Sequence, residues 1–354
     1  MKTALVTGGA GFVGARVALG LRERGLAQRV IALDNLRRRG SELNLPRLHA
    51  GGVEFLHGDV RVPDDVAEAG AIDLLVECSA EPSVLAGYGG APAYVTQTNL
   101  GGTIHCLEHA RQHGAAFVFL STSRVYPIAK LQQLRLREAA TRLELDDTQP
   151  FPGAGPAGIA EDFPLEGARS LYGATKLASE LLIQEYAAMY GVKTIVNRCG
   201  LLTGPWQMGK SDQGVIVLWA ARHLYGGALK YIGFGGTGKQ VRDFLHVDDL
   251  LDLLEIQLGR LDTLAGGTFN VGGGRANSIS LAELSALCRA QGGQALEIPG
   301  DPVERPADVP VYLSDTARVH AATGWAPRRG AEQTLAEIFQ WLRDNERILR
   351  PILS

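Results

Sequence analysis

Residues 2–14 read KTALVTGGAGFVG. Lys2 to Thr7 is a short apolar, β-branched run that reads as a strand, and Phe12 to Arg24 carries apolar residues at helical spacing. Between them Gly8, Gly11 and Gly14 stand in a GxxGxxG pattern. A strand that turns tightly into a helix in this way has a specific use. The turn leaves out the Cβ atoms that would keep a pyrophosphate off the backbone, and the helix N-terminus offers free N–H groups and a favourable dipole. Glycine-rich turns are common, so it is the strand–turn–helix context that makes these glycines informative. Twenty residues past Gly14, Asp34 closes the next strand, Arg29 to Asp34. A carboxylate there accepts both hydroxyls of an adenosine ribose and repels a 2′-phosphate, which favours NAD over NADP. The Arg37, Arg38, Arg39 run beyond it reads as a solvated turn.

Working outward, Val53 to His57, Asp73 to Cys78 and Phe117 to Leu120 continue an alternation of strands with helical segments. That order predicts an α/β protein with a Rossmann doubly wound parallel sheet. Val192 to Arg198 and Thr268 to Val271 read as further strands, and Ser170 to Tyr190 as a long helix. Tyr126 to Leu171 breaks the pattern with a charged stretch and then TQPFPGAGPAGIAEDFP, expected to be an insertion near a site. After about Gly200 come glycine-rich turns and short helices, Ser280 to Gln291 and Ala331 to Arg343. The expected division is a dinucleotide-binding domain over 1–199, with 243–274 returning to it, and a smaller C-terminal α/β substrate lobe over 200–242 and 275–354.

Composition excludes several classes. The chain has 354 residues, 45% hydrophobic and 21% charged, with a net charge of −3. That is enough apolar material for a sizeable core and too balanced a charge for a protein whose main partner is nucleic acid or an anionic membrane. Cys78, Cys106, Cys199 and Cys288 show no metal or redox spacing and are expected as small buried residues. No apolar run approaches the roughly 18 residues of a membrane span, and the N-terminus lacks the apolar segment of a signal peptide. A soluble, cytoplasmic protein without a metal is expected.

The segment YGATK places Tyr172 and Lys176 four residues apart on a helix, hence on one face. A phenol is a poor base at neutral pH. Bringing its pKa down by roughly 3 units needs about 4 kcal/mol of differential stabilisation, which a nearby ammonium in a sheltered site supplies. In FVFLSTSRVYP, the strand Phe117 to Leu120 ends at Ser121, Thr122 and Ser123, at the carboxyl edge where open α/β sheets bind ligands. A hydroxyl there is placed to hold a substrate alcohol against Tyr172.

Together these segments resemble the extended short-chain dehydrogenase/reductase family, with its nucleotide-sugar epimerases and dehydratases. The resemblance spans nearly the whole chain and includes TGGAGFVG, the Asp34 and Asp59 positions, Asn99 in TNLGGT, STSRVY, YGATK and GKQVRDFLHVDD. It implies a catalytic set of Thr122, Tyr172 and Lys176. It implies NAD contacts at Gly8, Gly11, Phe12, Val13, Gly14, Asp34, Asn35, Asp59, Val60, Ala80, Asn99 and Ser121, besides Tyr172 and Lys176. It implies contacts to a nucleotide-diphosphate sugar at Ser83, Thr122, Ser123, Gln207, Asp212, Gln213, Gln240, Arg242, Arg305 and Asp308, with Arg242 and Arg305 as the diphosphate cations. A homodimer formed through Pro92 to His113 and Ser170 to Tyr190 is also implied.

One departure bears on the reaction. The 4,6-dehydratases that the chain resembles carry an Asp-Glu pair after the threonine, whereas this chain has Ser123 and Arg124. Elimination of water needs an acid and a base at that place. Epimerisation is therefore expected. SAEPSV (79–84), residues 197–215 and residues 231–249 are most similar to the CDP-hexose 2-epimerases, and a UDP-hexose 4-epimerase is the alternative. A protein that only bound the dinucleotide would need neither Tyr172 nor Lys176.

Overall fold

The computed structural model describes residues 1–88, 91–209 and 213–353. Seven strands form the main sheet: β1 (Thr3–Thr7), β2 (Arg29–Asp34), β3 (Glu54–His57), β4 (Leu74–Glu77), β5 (Ala116–Thr122), β6 (Thr194–Cys199) and β7 (Gly267–Val271). Their spatial order is β7-β6-β5-β4-β1-β2-β3. The pairs β1–β2, β2–β3, β1–β4 and β4–β5 are parallel. Chain order reverses between β1 and β4, the switch point outside which such sheets bind their ligands.

The main helices follow from sequence in the same way. In α1 (Phe12–Glu23) the buried set is Gly14, Ala15, Val17, Ala18, Leu19, Gly20 and Leu21, small enough for close packing on the sheet. A Cβ on Gly20 would fall 2.2 Å from a methyl of Leu251. The helix ends as Leu26 N–H bonds back to the Leu21 carbonyl across Gly25, whose φ of 66° glycine adopts without strain. On the opposite part of the sheet, α2 (Gly102–His113) and α3 (Leu171–Tyr190) cover Leu5, Leu33, Leu75, Phe117 and Phe119 with Leu107, Ala110 and Ile183. Each of the leucine, isoleucine and phenylalanine side chains contributes roughly 1.5–3 kcal/mol on full burial.

The chain divides into two compact units: residues 1–125, 171–198 and 250–269, and residues 126–170, 199–249 and 270–353 among those described. The first holds most of the seven-stranded sheet. The second contains a four-stranded sheet of Leu201–Thr203, Val241–His246, Ser278–Ser280 and Val311–Tyr312. The 126–170 segment, expected inside the first domain, clusters with the second unit. Leu143 N–H bonds to the Lys239 carbonyl and Ile159 N–H to the Leu313 carbonyl, so its backbone is satisfied by partners far along the chain. Residues 243–249 and 270–274, expected to return to the first domain, belong to the second unit as well. Within the 126–170 segment, short antiparallel pairs form between Leu136–Glu138 and Leu143–Leu145 and between Ala154–Gly155 and Gly158–Ile159. No helix among the described residues is long and apolar enough to cross a membrane.

Candidate active site

The carboxyl ends of β1, β2, β4 and β5 bring Thr7, Asp34, Glu77 and Thr122 to one edge of the sheet. The glycine turn leaves β1 there. Gly8 sits at φ 63°, Gly11 N–H bonds to the Gly8 carbonyl at 2.9 Å, and Ala15 N–H bonds to the Gly11 carbonyl at 2.9 Å. A Cβ on Gly14 would lie 2.0 Å from the Gly8 carbonyl oxygen, and one on Gly8 2.8 Å from the Ser79 nitrogen. The turn therefore accepts only glycine at these points. No side chain caps α1 at Gly11, which leaves its first N–H groups to an anion. Gly8, Gly11, Phe12 and Val13 are half-buried around this turn. The bare, uncapped cradle fits a dinucleotide pyrophosphate.

Asp34 accepts Ala10 N–H at 3.1 Å and Leu36 N–H at 2.8 Å, so it braces the turn as well as closing β2. Burial raises its carboxyl above the ordinary value, against the pull of those backbone bonds. Asn35 donates to Asp59 at 2.8 Å, and Arg61 donates twice to the same carboxylate. The Arg61 bonds hold Asp59 down at about 2. Arg37 and Arg61 both stack on the Tyr94 ring, with guanidinium carbons 4.0 and 4.9 Å from its centroid. Arg37, read as a solvated turn residue, thus contributes to a wall beside Asp59.

Tyr172 and Lys176 lie in the first turns of α3, 9% and 1% exposed. α3 packs on β5 and on the turn that follows it. The Lys176 ammonium donates to the Leu120 carbonyl at 3.0 Å and sits 4.2 Å above the Phe119 ring centroid. Leu120 is two residues before Thr122, which is 7% exposed and accepts Arg124 N–H at 3.2 Å. The ammonium, the phenol one turn away and the hydroxyl at the end of β5 thus come from one helix and the strand beneath it. Ser123 is half-buried at the same strand end, and Ser83 is half-buried with its hydroxyl accepting Leu85 N–H.

Several other expected contacts have their side chains held by partners within the chain. The Ser121 hydroxyl donates to Glu180 at 2.5 Å, within a buried Glu180–Arg198 ion pair. Asn99 is fully buried; its amide bonds the Glu81 backbone at both ends and the Thr175 hydroxyl. Val60 is buried against Gly102, while Ala80 is half-buried beside Ser79. In the second unit, Arg242 pairs with Asp308 at 2.7 Å and donates to the carbonyls of Val309 and Val241. The guanidinium and the carboxylate, each part-exposed, are thus ion-paired with one another. Gln207 turns onto Thr203 and the Leu202 carbonyl, and Gln240 onto the Ile232 carbonyl. Gln213 is half-buried. Asp212 lies outside the described residues. Arg305 sits two residues before Ala307, whose φ is 61°.

Sequence reasoning missed three buried features. Glu77 at the end of β4, the Glu180–Arg198 pair, and a π-helical turn over Gln97–Gly101 with Asn99 at its centre all lie within the unit that holds Tyr172. An acid closing the apolar run LLVE was the one available signal.

The profile of the NAD dependent epimerase/dehydratase family matches residues 4–272. Among curated relatives, CDP-paratose 2-epimerase of Salmonella typhi is 30% identical, over 95% of this chain and 98% of its own length. A dTDP-glucose 4,6-dehydratase of Streptomyces niveus is also 30% identical, over 99% of this chain and 95% of its own. The structure of Thermus thermophilus UDP-glucose 4-epimerase in complex with NAD superposes with a TM-score of 0.77 at 27% identity, covering 96% of this chain and 99% of that one.

Proposed function

Because this chain belongs to the NAD dependent epimerase/dehydratase family, as an NAD-dependent nucleotide-sugar enzyme of the extended short-chain dehydrogenase/reductase type, we propose that it inverts C2 of a CDP-hexose of the CDP-paratose/CDP-tyvelose type. The observation that carries the reading is the buried Lys176 ammonium, fixed on the Leu120 carbonyl one helical turn from Tyr172. A sugar C2 hydrogen has no neighbouring carbonyl to acidify it, so deprotonation at carbon is a poor route to inversion. Bound NAD supplies a reversible hydride acceptor at this edge of the sheet. Tyr172 takes the C2 hydroxyl proton, and Lys176 stabilises the phenolate that must exist for it to do so. Thr122 holds the reacting oxygen against the phenol. Once the flat 2-keto sugar presents its other face, return of the hydride to that face of C2 and of the proton from Tyr172 to the oxygen inverts the centre.

Identity does not separate an epimerase from a dehydratase here, so the reading rests on residues. Ser123 and Arg124 supply no carboxylic acid to protonate a leaving hydroxyl and no carboxylate to remove a second hydrogen. The segments 197–215 and 231–249 favour the CDP-hexose 2-epimerases over the UDP-hexose 4-epimerases. The Arg242–Asp308 pair and Arg305 are proposed to meet the diphosphate, with Gln207, Gln213 and Gln240 at the base or sugar. Incubating the protein with CDP-paratose, CDP-tyvelose and UDP-glucose and following the products by proton NMR tests the reading. Interconversion of the two CDP sugars is expected; inversion confined to C4, or formation of a dehydrated sugar, overturns it. Two copies are further proposed to pair through α2 and α3. Leu181, Met189 and Tyr190 stand 57%, 65% and 52% exposed on α3, and Ile104 is exposed on α2.

A further inference from the structure

Glu77, in the unit that holds Tyr172, is a fully buried acid to which the reaction gives no part. Glu77 ends β4 in register with Thr7 of β1 and Phe119 of β5. Closing a buried strand with a carboxylic acid is unfavourable unless its charge is offset or its proton retained. Thr103 of α2 lies 2.8 Å from its Oε1, and its Oε2 has no hydrogen-bond partner among the described residues. The cation that acts on it is Lys176, which rests over Phe119, its cross-strand neighbour.

The proton inventory around Glu77 closes in two ways. The Thr103 hydroxyl has one proton and two acceptors in reach, the Glu77 carboxyl at 2.8 Å and the Asn99 carbonyl at 2.7 Å. Ser179, on α3 with Lys176, places its hydroxyl 3.1 Å from Thr103 Oγ1 and 3.3 Å from the same Asn99 carbonyl. When Glu77 is ionised, Thr103 donates to it and Ser179 donates to Thr103. When Glu77 is protonated, it donates to Thr103, and Thr103 donates to the Asn99 carbonyl. Both states satisfy the hydroxyls without moving a heavy atom.

We infer that Glu77 is a positioning residue that sets the electrostatic environment of Lys176, and through it the basicity of Tyr172, by holding or releasing one proton. The inference rests on the roles proposed above for Tyr172 and Lys176. Its sign follows from Coulomb's law. An ionised Glu77 offsets the ammonium field and makes the phenolate harder to form; a protonated Glu77 leaves that field whole. Burial pushes the Glu77 carboxyl up to about 7, against the opposing pull of Lys176 and the Thr103 bond, so both states are populated near neutral pH. The other titratable group facing it is Cys106 on α2, kept neutral because burial, and then Glu77 itself, raise its thiol. Thr7 and Phe119, from the flanking strands, bring no charge. Ionisation of Tyr172 is thereby spread over a wide pH range, since loss of the Glu77 proton makes that of Tyr172 harder to remove.

The test is a phenolate titration of the NAD-loaded protein by ultraviolet difference against Tyr172→Phe, with and without Glu77→Gln. The amide keeps the shape and the Thr103 bond and removes only the charge. In E77Q the Tyr172 ionisation should move down by about one pH unit and sharpen to a single site. Infrared spectra of the unsubstituted protein should show a carboxylic acid carbonyl stretch that fades as the pH rises through neutrality and is missing in E77Q. The same phenolate titration in both proteins overturns the inference alone. Absence of any Tyr172 phenolate overturns the base assignment and the inference with it. Should E77Q fail to fold, Thr103→Val removes the hydroxyl that stabilises the carboxylate. It should carry the infrared band to higher pH, and an unmoved band overturns the inference.

Discussion

A buried phenol held beside a buried ammonium is informative because neither group tolerates that position without a partner. Tyr172→Phe is expected to lower kcat on the order of 10³-fold while NAD affinity stays unchanged, as shown by steady-state kinetics alongside calorimetric titration of NAD. Equal loss of NAD binding would place Tyr172 in the cofactor cradle and not at the proton. At the turn, Gly14→Ala would put a methyl 2.0 Å from the Gly8 carbonyl oxygen. The backbone must shift to accept it, so a loss of about 1–3 kcal/mol in urea denaturation is expected, together with weakened NAD binding. Gly8, Gly14, Asp34, Tyr172 and Lys176 were legible in the sequence because each answers a local requirement, a turn without Cβ or two side chains at one helical spacing. Glu77 and the pairing of Arg242 with Asp308 were not. Whether a charge at a strand end faces water or a hydroxyl on another helix is decided by packing, and the Asp308 partner of Arg242 lies 66 residues away.

At the level of elements, α3 does more than carry the reactive side chains. Glu180, one turn beyond Lys176, is 1% exposed and meets Arg198 of β6 at 2.7 Å while receiving the Ser121 hydroxyl of β5. The pair pins the helix to two strands. Removing one partner strands a buried charge, so Glu180→Gln should cost about 3–5 kcal/mol in denaturant unfolding. The double change Glu180→Leu with Arg198→Met should recover most of that loss, because an apolar pair replaces both charges at once. A double variant as unstable as the single one would mean that the Ser121 hydroxyl, which only the double variant deprives of its acceptor, offsets the gain. Strands β1 to β6 were legible to within a residue or two because their apolar, β-branched runs stand between turn signals. Within the Pro92 to His113 stretch, the chain forms a π-helical turn at Gln97–Gly101 before α2 begins, which no local pattern announces. The reason is tertiary: Asn99 must aim at the Glu81 backbone and Thr175, and an extra residue in the turn re-aims it.

Along the full chain, the compositional break at Tyr126 and Leu171 falls on the boundaries of the two units, yet the sequence offered no way to tell which unit owned the segment. Ownership is set by backbone bonds to Lys239 and Leu313, contacts whose sequence separation hides them from local pattern. The second unit also holds a buried acid. Asp243 is 0% exposed, accepts Gly274 N–H at 3.1 Å, and lies so close to Gly272 that a Cβ there would reach 2.2 Å from its carboxylate. Burial raises it from an ordinary 3.8 to about 6, only partly countered by bonds from Ser314 and Gly274. A raised acid in the folded state stabilises folding fully below its unfolded pKa and loses that contribution as pH climbs through the folded value. The window is therefore about pH 4 to 6, and at 1.36 kcal/mol per unit the loss is about 3 kcal/mol. His109, His223 and His246 are depressed by burial and act in the opposite sense, since folding loses stability where the unfolded chain protonates them. Comparing the protein with Asp243→Asn cancels those histidines. The difference in thermal midpoint between the two should fall steadily from pH 4 to 6 and then flatten, the asparagine variant gaining relative to the acid. Parallel curves across that interval would show that Asp243 titrates as it does in the unfolded chain, and that its burial is fully offset by its hydrogen bonds.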